Sequence, residues 1–296
     1  MNENIFHYLA QYLEYHITFK KSVKSTLIWH RSQVRRFASE INKYDICAVT
    51  SGDAQDFIYR LNSHWNRFET IKNNIRSLKA FFNWLKKRKI VETNPFVDLE
   101  FPGKDEPRIK FMLEDEVKDF FSRLRRCDQF YSNFEKSRAI AIFSLAYGLG
   151  LRLGEIKRLK QEEVDFEKKL IRISRQKNKT VSLLPLPSRV SFDLKQYLRE
   201  KEKLGLDSFH LIASRPGYSL SESSYRRLAV FIKQNIFPAF KGYHSFRHSN
   251  ATSLLRRGVD IGMISKLLRH SSTKVTEIYA KLIPEDLRQT VDILDY

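Results

Sequence analysis

Cysteine, glycine and proline are all scarce in this sequence of 296 residues. Its two cysteines, Cys47 and Cys127, are too few for the disulfide framework of a small secreted domain or for a four-thiolate zinc site. Ten glycines and eight prolines, against 42% hydrophobic residues, exclude collagen-like and disordered chains. Since domains usually hold roughly 100–200 residues, we predict about two globular domains, each with its own core.

Long hydrophobic runs are also missing. The most apolar stretch, residues 139–151, is shorter than the roughly 18 residues that a membrane-spanning helix requires. The first residues, MNENIFHYLAQ, lack the basic leader and apolar run of a signal peptide. We therefore expect a reduced, cytoplasmic protein without a membrane partner.

Acidic residues are too few to balance the basic ones. Lysine and arginine number 53 against 34 aspartates and glutamates, so the formal net charge is +19 at pH 7. The excess is shared between both parts of the chain, with 17 basic against 11 acidic residues in 1–105 and 36 against 23 in 106–296. Such a charge favours a polyanionic partner, although charge alone does not say which one.

Hydrophobic periodicity divides the sequence near residue 103. Apolar and aromatic residues recur every three or four positions in four stretches, which predicts amphipathic helices at 5–19, 27–41, 54–65 and 71–85. Asn4 and Ser25 precede the first two stretches and are suited to cap them. Breakers and charged residues without periodicity then follow, which is typical of a connector. We place the domains at 1–103 and 104–296.

The second domain is predicted to be mixed, with helices dominant. Three short β-branched or apolar runs, at 164–166, 170–175 and 181–186, predict a small antiparallel sheet whose last hairpin carries lysines at its tip. Helical periodicity covers 113–125, 135–147, 192–204, 223–236, 244–257, 261–268, 273–282 and 285–294, with a further short helix opening around Gly154. The predicted fold class is α+β, mainly α with a small antiparallel sheet.

Two motifs in the second domain place basic side chains beside possible partners. In Gly150-Leu-Arg152-Leu-Gly-Glu155, a carboxylate follows an arginine by one helical turn and is able to hold its guanidinium in place. His244 and Arg247 stand three residues apart on a predicted helix, so both can reach the same anionic oxygen. Taken alone, the first motif fits a surface ion pair better than a functional site.

A zinc site is the alternative interpretation of the second motif, because His248 follows His244 by four residues. A zinc protease motif, however, needs glutamate where this sequence has Ser245, so we expect no metal. A third motif runs from Arg269-His270 to Tyr279, with the tyrosine about two turns along a new predicted helix. By itself it fits a DNA-binding helix-turn-helix with a buried aromatic residue.

Together these motifs resemble, in order and spacing, the tyrosine recombinase (phage-type integrase) family over nearly the entire chain. The matching features are Gly-Leu-Arg152 with Glu155, a lysine hairpin followed by Leu-Pro-Leu186, His244-x-x-Arg247, and His270 nine residues before Tyr279. The resemblance implies a four-helix SAM-like core-binding domain followed by a catalytic domain. It also implies a site-specific recombinase that cuts and rejoins duplex DNA.

The resemblance assigns a role to each matching residue. Tyr279 would attack a phosphodiester and form a 3′-phosphotyrosyl link. Arg152 and Arg247 would clamp the non-bridging oxygens of that phosphate. His244 and His270 would donate hydrogen bonds to those oxygens or accept the tyrosine proton.

Glu155 would position these groups, and a hairpin lysine would protonate the leaving 5′ oxygen. Counting back from Leu186 selects Lys177 as this lysine, whereas aligning from the preceding strand selects Lys179. Two arginines and a lysine supply the positive charge that a metal would otherwise bring, so we expect no cofactor. The covalent link conserves the bond energy, so we also expect no need for ATP.

Other DNA contacts are predicted from basic residues on helices. The candidates are Arg35, Lys79, Arg226 and Arg227, for which an ordinary surface position is equally compatible. Arg269 stands where the family commonly has glycine before the second active-site histidine. This arginine would either add a phosphate contact or alter the approach to His270.

Assembly is predicted from the last helix, 285–294, which carries Leu287, Val291 and Leu294 on one face. It resembles the family's C-terminal exchange helix, which docks on a neighbouring protomer, although packing on its own domain is the alternative. We expect a homotetramer on two DNA sites, or a heterotetramer with a partner recombinase.

The layout suits a compact Xer-like recombinase, because no further DNA-binding domain is expected ahead of the first helix. Such enzymes serve dimer resolution or mobile-element integration. A type IB topoisomerase and a catalytically silent DNA-binding regulator are the alternatives.

Overall fold

A computed structural model of the protein describes residues 4–64, 67–103, 110–174, 181–215 and 217–269. The chain forms two compact units, Met1–Pro107 and Arg108–Tyr296, each with a hydrophobic core of its own. The predicted hairpin tip with Lys177 and Lys179 lies outside the described residues, as does everything from His270 onward.

The first unit contains the four helices that the sequence predicts. They are α1 (Ile5–Thr18), α2 (Lys24–Ile41), α3 (Ser51–Ser63) and α4 (Phe68–Lys87). Along α4, buried residues recur at intervals of three or four, at Ile71, Ile75, Leu78, Phe82 and Leu85. This spacing gives the helix one apolar stripe, which packs against α1, α2 and α3.

The second unit is mainly helical, as predicted, with two small antiparallel sheets among its described residues. Its helices are α5 (Glu114–Arg126), α6 (Asn133–Gly148), α7 (Leu153–Arg158), α8 (Ser188–Lys203), α9 (Glu222–Asn235), α10 (Tyr243–Arg256) and α11 (Ile261–Leu267). The expected sheet is present as β1 (Val164–Asp165), β2 (Leu170–Ser174) and β3 (Val181–Pro185), with β2 in the middle. A hairpin of β4 (Ala213–Arg215) and β5 (Tyr218–Ser219) was not predicted.

Helix α6 forms the centre of this unit and has buried residues around its whole circumference, because α5, α8 and α10 all pack against it. Phe120 of α5, Phe143 of α6 and Phe246 of α10 meet with ring centroids 4.7–5.0 Å apart. Since Phe246 lies between His244 and Arg247, this contact fixes the rotation of the helix that carries both. None of the described helices is both long and apolar enough to cross a membrane.

Candidate active site

Arg152 and Glu155 lie at the start of α7, where a hydrogen bond and an ion pair connect them. The Arg152 backbone N–H donates to Glu155 Oε2 at 2.8 Å, and Arg152 Nη1 lies 3.2 Å from Glu155 Oε1. The glutamate side chain is 5% exposed, whereas that of the arginine is 41% exposed. A buried carboxylate therefore orients a guanidinium that remains accessible to a ligand.

The chain reaches Arg152 through Gly150, at a position that only glycine occupies without strain. Its φ is +58°, and a Cβ there would lie 2.3 Å from Leu268 Cδ2 and 3.2 Å from Asn250 Oδ1. A side chain at this position would push the end of α11 and the middle of α10 away from the arginine. Glycine thus permits the close packing that assembles the site.

Arg247 connects three segments of the chain from a buried position on α10. It is 4% exposed, and its Nη1 and Nη2 donate to the backbone oxygens of Gly150 and Leu268. The guanidinium is held between the turn before Arg152 and the end of α11. A planar fork suits this place, because its donors diverge at fixed angles and reach two carbonyls at once.

His244 lies one turn before Arg247 on the same face of α10. Burial of the ring lowers its pKa, and the charges of Arg247 and Arg152 act in the same direction, against that of Glu155. The residue nevertheless keeps an exposed surface. At pH 7 the imidazole is therefore neutral, with one nitrogen that donates a hydrogen bond and one that accepts.

His248 lies one turn further along α10, at the spacing from His244 that a zinc site would use. Burial, and then the charges of His244 and Arg247, lower its pKa to about 4. In the part of the chain that the structure describes, no group of three or more histidine, cysteine, aspartate or glutamate side chains is placed to hold a metal ion. The four-residue spacing places the imidazole of His248, which is also neutral at pH 7, one helical turn after that of His244.

We expect the free energy of unfolding to decrease as the pH falls below about 6.5, because His244 and His248 are neutral in the folded protein and gain protons on unfolding. The unfolded state then binds more protons, which costs at most about 1.4 kcal/mol per pH unit for His248 and less for the exposed His244. Urea unfolding at about pH 7 and pH 5.5 measures the effect, which His248→Gln should reduce. An equal pH dependence in the variant would contradict this account.

Arg269 occupies a buried position beside Glu155. Its Nη2 lies 2.8 Å from Glu155 Oε2, and its side chain is 2% exposed. Burial by itself would raise the pKa of Glu155, but the charge and hydrogen bond of Arg269, together with Arg152, hold the pKa below its ordinary value. The carboxylate is therefore ionised and shared by two arginines.

Asn250 is a supporting residue that motif-based reasoning missed. It lies on α10 one turn after Arg247, is 7% exposed, and donates from Nδ2 to Tyr147 O at 2.7 Å. The available signal was its position three residues after Arg247, which puts both side chains on one face of the helix. Through Tyr147 it fastens α10 to the end of α6, just ahead of Gly150.

The remaining predicted residues fall into two groups. Four are exposed on helices, and their contacts with DNA stay predictions: Arg35 on α2, Lys79 on α4, Arg226 and Arg227 on α9. The others lie outside the described residues: Lys177, Lys179, His270, Tyr279 and the helix at 285–294. The structure thus brings together Arg152, Glu155, His244 and Arg247.

Comparison with known proteins finds matches to one family along most of the chain. A sequence model of the Phage integrase family matches residues 110–285, more than half of the chain. A tyrosine recombinase of Agathobacter rectalis is 30% identical over 291 residues, covering 93% of this chain and 92% of the relative. The tyrosine recombinase XerA of Pyrococcus horikoshii is 27% identical over 301 residues, covering 99% and 94%.

Solved structures share the fold. The Tn1549 transposon integrase in complex with a circular intermediate DNA has a TM-score of 0.76 at 18% identity, covering 94% of this chain and 95% of that one. The XerH recombinase bound to a palindromic difH substrate has a TM-score of 0.72 at 16% identity, covering 100% and 97%. At these identities the likeness concerns the fold alone.

Proposed function

This chain belongs to the phage integrase family and is a site-specific tyrosine recombinase, and we propose that it cuts and rejoins duplex DNA through a 3′-phosphotyrosyl intermediate at Tyr279. The proposal is carried by the convergence of Arg152, His244 and Arg247, with Glu155 buried behind them. Fixed cations beside a neutral imidazole suit a phosphodiester whose charge is redistributed in the transition state.

In the cleavage step, the phenol oxygen of Tyr279 attacks the phosphorus of a DNA phosphodiester. A bond from phosphorus to the tyrosine oxygen forms and the bond to the 5′ oxygen breaks, which leaves a free 5′-hydroxyl. The tyrosine proton passes to His244 or His270, and Lys177 or Lys179 protonates the leaving oxygen. Attack by a 5′-hydroxyl of another strand reverses the step, so ATP is not consumed.

Arg152 and Arg247 would bind the non-bridging oxygens of the reacting phosphate. The bonds from Arg247 to two backbone carbonyls, and from Arg152 to Glu155, orient both guanidinium groups before DNA arrives. Preorganised charges of this kind need little rearrangement during the reaction. Together with a hairpin lysine they replace a metal, so cleavage would not depend on divalent ions.

Both units would contact the DNA backbone, because each carries an excess of basic residues. The Tn1549 integrase and XerH structures contain DNA, which supports duplex DNA as the partner. Exchange between two sites would use four protomers, with the helix at 285–294 of each docked on the next in a closed ring. The reaction would serve dimer resolution or the integration and excision of a mobile element.

The test of this function is covalent capture of DNA by the wild-type protein in EDTA without ATP. Target sites are recovered by selecting bound fragments from a randomised duplex library and are rebuilt with a nick, so that the cleaved fragment diffuses away. We expect a protein–DNA adduct that resists denaturation, and a free 5′-hydroxyl on the released fragment. No adduct on any recovered site, or an adduct that requires a divalent ion, would contradict the proposal.

A supercoiled plasmid with two recovered sites distinguishes the related activities. Exchange of strands between the two sites would support recombination. Relaxation of supercoils without exchange would instead indicate a type IB topoisomerase-like strand transferase. Tight binding without cleavage would indicate a DNA-binding regulator.

A further inference from the structure

The end of α11 has a backbone conformation that ordinarily selects glycine. Arg269 has a φ of +54°, in the left-handed region, and its N–H donates to Lys266 O at 3.0 Å. Glycine is common at this position because any other residue brings its Cβ close to its own carbonyl oxygen. An arginine here, directly before His270, bears this strain and adds a side chain whose contacts glycine would lack.

The guanidinium of Arg269 makes its contacts inside the protein. Its Nη2 donates to Glu155 Oε2 at 2.8 Å and its Nη1 to Leu267 O at 2.7 Å. Glu155 Oε2 also accepts the backbone N–H of Arg152. One carboxylate oxygen thus joins the end of α11 to the start of α7.

We propose that Arg269 is a positioning residue for strand cleavage, which acts through Glu155 and does not contact the DNA phosphate. The inference rests on the proposed function. Through Glu155 the side chain orients Arg152, and the same ion pair fixes the segment that leads into His270. A phosphate contact is disfavoured, because reaching solvent would break a buried ion pair and leave Glu155 with Arg152 alone.

Loss of the Arg269 charge would change the ionisation of Glu155. Burial raises the pKa of this carboxyl, and the two arginines together outweigh that effect. Without Arg269 the pKa in the folded protein rises, so Glu155 is protonated at a higher pH. A neutral carboxyl holds Arg152 less strongly. As the pH is lowered, the cleavage rate of the variant would therefore begin to fall at a higher pH than that of the wild type.

The test compares Arg269→Gln with Arg256→Gln, which removes the same charge from an exposed arginine at the end of α10. Both variants and the wild type form adducts on the nicked duplex in single turnover, with protein in excess, from about pH 5 to pH 8. We expect Arg269→Gln to react roughly 10- to 100-fold more slowly than Arg256→Gln, since small displacements of reacting groups have effects of this order. The dissociation constants for DNA should agree within about twofold.

Two further variants distinguish the effect of losing the Arg269 side chain from effects on backbone conformation and on folding. Arg269→Gly relieves the backbone conformation but loses the ion pair, so we expect it to be as slow as Arg269→Gln. The double variant Glu155→Gln/Arg269→Gln removes both buried charges, so we expect it to fold, to cleave slowly and to lack the shift in pH dependence. Thermal unfolding verifies that each variant is folded at the assay temperature.

The outcomes separate this inference from the proposed function. A wild-type protein that forms no adduct overturns both. If the wild type cleaves, a rate for Arg269→Gln equal to that of Arg256→Gln overturns the inference alone. A wild-type cleavage rate in the double variant also overturns it, and this result applies even if Arg269→Gln is unfolded. Weaker DNA binding by Arg269→Gln with normal cleavage once bound would assign this arginine to a phosphate contact.

Discussion

Tyr279→Phe is expected to bind target DNA with the affinity and salt dependence of the wild type and yet to form no covalent adduct. Phenylalanine removes only the hydroxyl, so the nucleophile is lost while every cation that displaces counterions from DNA is retained. We expect single-turnover cleavage to fall by at least roughly 10⁴-fold, as when other covalent enzymes lose their nucleophile. Denaturing gels measure the adduct, and binding titrations between about 50 and 200 mM salt measure the slope.

Tyr218→Phe is the matched control for this substitution. Tyr218 is in β5 of the same unit and is 58% exposed, so loss of its hydroxyl should leave adduct formation unchanged. An adduct with Tyr279→Phe would show that another side chain is the nucleophile. A smaller salt slope in that variant would mean that its binding surface had changed as well, and the loss of cleavage would then not isolate the hydroxyl.

Helices were predictable in this chain because burial of one face imposes a period on the sequence, whereas helix ends depend on local contacts. Asn4 caps α1 as expected, since its side chain accepts the Phe6 N–H at 2.8 Å. Ser25 does not cap α2, which already begins at Lys24 after Val23 without a side-chain bond. The apolar stripe in the sequence shows where a helix lies, but it does not determine the residue at which the helix begins.

Strands were predictable only where they are long enough to alternate. In β2, Ile171 and Ile173 are buried while Arg172 between them is exposed, and this pattern is visible in the sequence. The β4–β5 hairpin pairs three residues with two, across a register shift. So short a pairing has no period to detect.

The candidate site divides in the same way between local and distant contacts. The pairing of Arg152 with Glu155 follows from their spacing in one helical turn, and the structure contains it. The bond from Arg247 to Gly150 spans 97 residues, and the one from Arg269 to Glu155 spans 114. No local pattern fixes these bonds, because they depend on where the end of α11 meets the start of α7.

Arg247→Lys is expected to lower single-turnover cleavage by at least roughly 10²- to 10³-fold, the cost of removing one preorganised donor from a reacting oxygen, with little change in DNA affinity. An ammonium keeps the charge but lacks the two diverging Nη groups of the planar fork, so it holds the carbonyls of Gly150 and Leu268 less well. Weaker hydrogen bonds to these buried carbonyls should lower the free energy of unfolding by about 1–3 kcal/mol. Urea unfolding and adduct formation measure the two effects separately.

Arg257→Lys is the matched control, because it makes the same exchange at the C-terminal end of α10. Arg257 is 64% exposed and pairs with Glu114 at the surface, where lysine can replace it, so neither stability nor cleavage should change measurably. The decisive comparison is made well below the unfolding midpoint, with all DNA bound. If Arg247→Lys then cleaves at the wild-type rate, its guanidinium only supports the fold, and the phosphate must be held by other groups. If cleavage stays slow in the folded, DNA-bound variant, then the fork geometry is itself required, because charge and affinity have both been preserved.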